Sequence, residues 1–259
     1  MVLYLKFKTL IVKHLPKQIF TLLSLYPGIK QFEASVSRLD SPSGELWNIF
    51  TGISNGIVHK WHHYIPIYET HLTQYKNQEV RILEIGVDGG GSLELWRKFF
   101  GEKSIIYGID INPKCLRFDG LHAKVRIGSQ TSRKFLNQVI NEMGGVDVVI
   151  DDGSHNVKDV RKTFEILFPL LNYDGSYIIE DLHCSFWRKF GGGYYSHRNL
   201  FRYFFRLIRH KHSIYTGRRV PAQIKEVTQE LYSVHLYDSI SVIEKKPSNN
   251  PKHSRVGRF

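Results

Sequence analysis

Short apolar runs of strand length alternate with amphipathic stretches of helical length from Val80 to Ile179, and this alternation constrains the fold more than any other feature of the chain. It is the pattern of βαβ units, which build a parallel sheet covered by helices. The apolar runs fall at residues 80–85, 105–109, 124–127, 146–150 and 176–179, and the helical stretches at 93–100, 132–143 and 157–171. The run 146–150 is Val and Ile apart from Asp147, the composition of a central strand buried on both faces. Tyr173, Asp174 and Gly175 turn the chain into the run that follows. Further on, residues 231–237 and 240–244 flank Asp238 and Ser239 and read as a terminal hairpin.

A chain of 259 residues with 42% hydrophobic content can bury one α/β core. Between Leu3 and Tyr26, leucines and phenylalanines alternate with lysines in short helical stretches, divided by Pro16 and stopped by Pro27 and Gly28. The expected organisation is an N-terminal helical extension or cap over residues 1–59, a catalytic domain over 60–246 and a basic tail over 247–259. The extension either packs on the domain or a partner subunit, or lies in a lipid interface. Lys6, Lys8 and Lys13 interrupt the first apolar stretch, which disfavours a secretory signal, and no uninterrupted apolar run reaches membrane-spanning length. The two cysteines, Cys115 and Cys184, form no CxxC pair, so a zinc cluster or disulfide framework is not expected. The expectation is a cytoplasmic protein, at most peripheral to the inner face of the membrane.

A net charge of +12 suits nucleic acid, a phosphate-bearing glycan or an anionic membrane surface, and selects none of them. Arg198, Arg202, Arg206 and Arg209 recur at helical spacing, with Phe201, Phe204, Phe205 and Ile208 on the opposite or adjacent face. Such a helix packs its aromatics inward and presents an arginine stripe, either a solvated face or an anion-binding one.

The candidate chemistry sits where the strands end. Glu84, Gly86, Gly89, Gly90 and Gly91 form a glycine-rich turn leading into a helix, where backbone can approach a nucleotide-like ligand closely. The spacing departs from GxGxxG, and no phosphate-cradling Lys-Ser/Thr pair follows, which excludes a Walker loop. Asp110 ends the second run, where a carboxylate can accept from both hydroxyls of a ribose; the less favoured alternative is that it merely caps the turn at Asn112 and Pro113. Ser129 and Gln130 are placed to meet an adenine edge, and Asp151 to approach the ribose or amino-acid part of the cofactor. Asp151 and Asp152 follow one strand, and Glu180 and Asp181 the next. If these strands are neighbours, four carboxylates converge. Crowded like charges require neutralisation, and an oxygen-rich cluster suits Mg²⁺, Mn²⁺ or Ca²⁺, with Asp152, Glu180 and Asp181 as ligands.

The segments Ile85-Gly-Val-Asp-Gly-Gly-Gly-Ser-Leu93, Tyr107-Gly-Ile-Asp-Ile111, Val149-Ile-Asp-Asp-Gly-Ser-His155 and Ile179-Glu-Asp-Leu-His-Cys-Ser-Phe-Trp187 resemble the macrocin and mycinamicin type of sugar O-methyltransferase. The resemblance covers residues 60–244 and includes the segment Trp61-His-His-Tyr-Ile-Pro-Ile-Tyr68. It implies a Rossmann-like class I methyltransferase fold, a mostly parallel seven-stranded sheet ending in an antiparallel hairpin. It further implies S-adenosylmethionine and Mg²⁺ (or Mn²⁺) as cofactors, a sugar or glycan acceptor and self-association into a homo-oligomer. Its metal ligands fall on Asp152, Glu180 and Asp181, and its catalytic histidine on His155.

In the mechanism so implied, the metal lowers the pKa of a sugar hydroxyl, His155 takes the proton, and the oxygen attacks the sulfonium methyl in line. Asp152 belongs to this machinery, and His183 is the reserve base. Trp61, His62, His63, Tyr64 and Tyr68 form a patch suited to a lid, a sugar platform or tight core packing, and Cys184 is read as packing. Two other readings stay open: a nucleic-acid methyltransferase, favoured by the charge but opposed by the acidic edge, and a catalytically silent metal-binding glycan or membrane-surface protein on the same fold.

Overall fold

The computed structural model describes residues 43–247 and 251–257, so the helical stretches expected between Leu3 and Tyr26 lie outside the described residues. Strands β1 (Arg81–Ile85), β2 (Ile105–Asp110), β3 (Lys124–Ile127), β4 (Val148–Asp151), β5 (Ser176–Ile179), β6 (Leu231–Leu236) and β7 (Ser241–Lys245) form one seven-stranded sheet in the order β3-β2-β1-β4-β5-β7-β6. The first five are parallel; β7 runs antiparallel to β5, and β6 antiparallel to β7. The strand order reverses between β1 and β4, and open α/β sheets bind their ligands in the crevice at that reversal.

The near-continuous Val/Ile composition of β4 has a direct cause. Val149 faces one core with Leu83, Tyr107, Phe164 and Tyr177, while Val148 and Ile150 face a second with Ile82, Trp96 and Ile178. Both faces of the strand are therefore closed to water. Helices α4 (Arg133–Met143) and α5 (Val157–Leu167) cover the first face, and α2 (Tyr64–Leu72) and α3 (Gly91–Phe100) the second. Ser132 caps α4 by accepting from Phe135 N, and Asn156 caps α5 by accepting from Lys158 N. Helix α5 stops at Leu167, short of the expected residue 171, because Pro169 has no N–H to continue the ladder. Its neighbour β4 begins at Val148, two residues later than expected, where the ladder to β1 begins.

Helix α1 (Glu45–Thr51) buries Leu46 completely in the second core, with Trp47, Ile49 and Phe50 packed against it. That packing crosses the boundary expected between residues 59 and 60. Residues 251–257 are exposed and carry neither helix nor strand.

Helix α6 (Leu200–Lys211) inverts part of the expected facing. Leu200, Tyr203, Phe204 and Leu207 are buried, Phe201 and Ile208 are half-buried, and Phe205 is 67% exposed. Tyr203 packs inward against Phe164 in the first core, and Arg161 and Arg206 lie over its ring, at 4.8 and 5.6 Å from the centroid. Helix α7 (Ala222–Glu230) leads into β6. Among the described residues, no helix is long and apolar enough to cross a membrane.

Candidate active site

Each parallel ladder runs one residue past its strand, and this sets the site. Gly86 N donates to Ile109 O, Asp152 N to Ile85 O and Glu180 N to Asp151 O. Gly86, Asp152 and Glu180 therefore stand side by side at the carboxyl edge of the sheet. Gly86 has φ +96°, and a Cβ there would lie 2.2 Å from Asp152 O, so only glycine lets the two loops meet this closely. Asp110 organises the turn from β2. Its Oδ2 accepts from Val87 N and Asp88 N at 2.9 and 3.1 Å, and its Oδ1 from Asn112 N at 2.8 Å. A carboxylate has about four acceptor positions, which leaves Oδ1 able to take a ligand hydroxyl. The far side of the turn is covered by Ile57, whose N donates to Gly89 O and whose O accepts from Gly91 N. The close approach at Gly89 is thus to protein backbone; a Cβ there would meet Ile57 O at 2.7 Å.

Glu84 is a correction to the sequence reading. It is fully buried under the turn, with Oε2 accepting from Ser92 Oγ at 2.8 Å and Oε1 from Trp96 Nε1 at 3.0 Å. It braces the turn against α3 and has no exposed oxygen for a cofactor. Burial raises its pKa to about 6 against opposition from Lys60 and from these two donors. A group raised in the fold contributes stability that is complete below its unfolded value and lost as pH rises through the folded one. Glu84→Gln is neutral throughout, so its stability relative to wild type should rise by about 1 kcal/mol between pH 5 and pH 8. Urea unfolding at the two pH values measures this, and a pH-independent difference would contradict it.

Three of the four expected carboxylates converge. Asp151 is buried beneath them, accepting from Tyr177 OH at 3.1 Å and Gln130 Nε2 at 3.4 Å, and burial pushes its pKa up to about 7. Gln130 is committed as well: its Nε2 also reaches Thr163 Oγ1, and its Oε1 accepts from Ser154 N. Ser129 pairs with Thr131. Asp151 and Gln130 therefore lock β4 to the loop after β3 from below, where the sequence placed them against a cofactor. Polar residues following a strand read alike whether they face ligand or protein.

The acidic edge contains its own cation. Lys60 Nζ donates to Asp152 Oδ2 at 2.6 Å and to Glu180 Oε1 at 2.5 Å, with its side chain 1% exposed. Burial alone would lower the ammonium's pKa, but the Asp152 and Glu180 charges outweigh burial and raise it well above its ordinary value. Tyr68 OH donates to the same Glu180 oxygen. Asp181 Oδ1 accepts from Trp61 Nε1 at 3.2 Å and lies 3.0 Å from Tyr64 OH. The aromatic patch thus holds the carboxylates in position. The sequence reading missed Lys60; its only signal was a lysine directly ahead of that patch.

His155 Nε2 lies 3.8 Å from both Asp152 Oδ1 and Asp181 Oδ2, with its ring edge-on to Phe190. His155 and Asp181 both have positive φ, +54° and +55°, a strain of about 1–3 kcal/mol each that tertiary contacts must sustain. His183 stands at the rim of the site, with Nδ1 bonded to Ser239 Oγ and 4.0 Å from Asp181 Oδ1, and Nε2 3.7 Å from Cys184 Sγ. Burial lowers the pKa of His183 and pushes the Cys184 thiol up to about 12, so the thiol is inert and serves as packing.

Residues 83–182 match a family described as a methyltransferase domain (Methyltransf_24). Mycinamicin VI 2''-O-methyltransferase of Micromonospora griseorubida is 34% identical over 197 residues, 71% of this chain and 48% of that one. Demethylmacrocin O-methyltransferase of Streptomyces fradiae is 41% identical over 143 residues, 51% of this chain and 36% of that one. The structure superposes on that of MycE, the mycinamycin-pathway methyltransferase in complex with Mg, SAH and mycinamycin VI, with a TM-score of 0.69 and 31% identity, covering 81% of this chain and 55% of MycE. The chain spans about half the length of these relatives or less. Sheet order, reversal point and terminal antiparallel strands are those of a class I methyltransferase. Within that class, the chain is similar to the macrocin and mycinamicin O-methyltransferases.

Proposed function

We propose that this protein transfers a methyl group from S-adenosylmethionine to a sugar hydroxyl of a glycosylated acceptor, assisted by a divalent metal ion. The observation that carries the reading is His155 Nε2 lying 3.8 Å from two carboxylates beside the glycine turn. The relatives' names support it, since they specify O-methylation of mycinamicin VI, of demethylmacrocin and of a rhamnosyl tetracenomycin-C, and the MycE complex holds Mg and SAH.

The residues fit both cofactors. Asp110 Oδ1 and the Gly86 turn suit a ribose-bearing ligand. Asp152, Glu180 and Asp181 would hold the metal: the Lys60 ammonium already occupies a cation position between Asp152 and Glu180, and His155 Nε2 stands 3.8 Å from an oxygen of Asp152 and of Asp181. Bound there, S-adenosylmethionine supplies an electrophilic methyl group and the metal supplies Lewis acidity that lowers the pKa of the acceptor hydroxyl.

The chain's own groups do the rest. His155 Nε2 receives the hydroxyl proton, and the Asp152 and Asp181 carboxylates stabilise the imidazolium that results. Trp61 and Tyr64 fix Asp181 for that purpose, and Tyr68 fixes Glu180. Phe190 meets the His155 ring edge-on and is itself stacked on Trp187 at 5.9 Å. His183 is the weaker candidate for base because Ser239 engages its Nδ1. A nucleic-acid substrate fits less well, since its phosphates would meet the acidic edge.

The test is labelled methyl transfer to a deoxysugar-bearing macrolide, a free glycan and RNA, with EDTA and then with excess Mg²⁺. Transfer to sugar-bearing acceptors that is lost in EDTA and restored by Mg²⁺ is expected. Transfer to RNA alone, or full transfer in EDTA, would overturn the reading.

A further inference from the structure

A second cluster of metal-ligating side chains lies where the C-terminal end of α2 meets the β6–β7 hairpin. His71 Nδ1 is 3.8 Å from Glu244 Oε1, and His235 Nε2 is 3.6 Å from Glu244 Oε2. One ligand atom from each of the three residues can be chosen so that all lie within 4.8 Å of one another. The two imidazoles meet edge to face, with centroids 4.8 Å apart. We propose that His71, His235 and Glu244 form a binding site for a borderline transition-metal ion of the Zn²⁺ type.

The donor set is the reason for that class of ion. Two imidazoles and one carboxylate suit zinc, whereas Mg²⁺ takes oxygen ligands and keeps its waters. Ligand atoms around tetrahedral zinc stand roughly 3.3 Å apart, as its bond lengths near 2.0–2.1 Å require. The two His–Glu separations therefore need to contract by about half an ångström or less, and the separation between the two imidazoles by at most about 1.5 Å. Part of the supporting shell is already in place: Tyr237 OH lies 2.8 Å from the other nitrogen of His71, and Ser233 Oγ donates to Glu244 Oε2 at 2.6 Å; Ser233 Oγ also lies 3.0 Å from His235 Nε2, a contact the ion would displace. Such partners orient metal-binding imidazoles and carboxylates. The His71 side chain is 8% exposed and His235 38%, so an ion reaches the cluster from the hairpin side. The fourth position falls to water, and the ion ties α2, which carries Tyr64 and Tyr68, to the edge of the sheet.

Co²⁺ titration of the full metal-free chain tests the site, because low-coordinate Co²⁺ with imidazole ligands absorbs visible light far more strongly than octahedral Co²⁺ on oxygens. One equivalent of intense absorption is expected, displaced by Zn²⁺ but not by millimolar Mg²⁺. It should survive Asp152→Asn, which disables the acidic edge, and weaken at least about tenfold in affinity in His235→Gln. Thermal melting in metal-free buffer monitors the fold of that variant, and Glu244→Gln carries the same expectation if its melting point falls. Absence of the band, its loss in Asp152→Asn, or its persistence in both His235→Gln and Glu244→Gln would overturn the proposal.

Discussion

Lys60→Met is expected to cost about 3–5 kcal/mol of folding stability in metal-free buffer, the range for removing one partner of a buried ion pair. The lysine is the cation between Asp152 and Glu180. Methionine keeps most of its length but leaves two carboxylates facing each other across a dry gap. Burial and the Asp152 charge already raise the pKa of Glu180, and without Lys60 that side chain must take up a proton or retain an unpaired charge. Either outcome removes the attraction that joins the tip of β5 to the segment ahead of α2. Millimolar Mg²⁺ should restore more stability to the variant than it adds to wild type, because an ion that binds only the folded state stabilises it by mass action. Urea unfolding with and without Mg²⁺ measures both effects. A variant as stable as wild type, or an equal Mg²⁺ increment in the two proteins, would remove Lys60 from this role.

His155→Asn should reduce turnover by about 10² to 10⁴, the usual contribution of a positioned general base. Asparagine is the suitable replacement because position 155 has φ +54°, a conformation asparagine tolerates better than most residues. The substitution leaves Asp110 and the Gly86 turn untouched, so affinity for S-adenosylmethionine measured by calorimetry should not change. A variant with unaltered turnover would transfer the proton step to solvent or to His183.

Most of the fold was legible because strand composition and turn chemistry are local. The run at residues 176–179 matches β5, and the Val/Ile-rich run before it marks the strand closed on both faces. The acidic edge was legible for the same reason, since a residue following a parallel strand has a known height on the sheet. Relations across the chain were not. Lys60 meets Glu180 across 120 residues, and His71 meets Glu244 across 173, with no spacing to connect either pair. Direction was also hidden: Glu84, Gln130 and Asp151 sit at the expected heights but point into protein, a choice made by Trp96, Thr163 and Tyr177.

The placement of β7 between β5 and β6 bears on how the chain is made. On a ribosome, β5 is complete some sixty residues before the strand that covers its open side, and the intervening β6 pairs only with β7. For that interval the nascent sheet has a bare edge of unpaired amides next to Ile178 and Tyr177, the kind of surface that recruits other strands. Any product cut short before Ser241 keeps that edge bare, because the strand that pairs with it is missing.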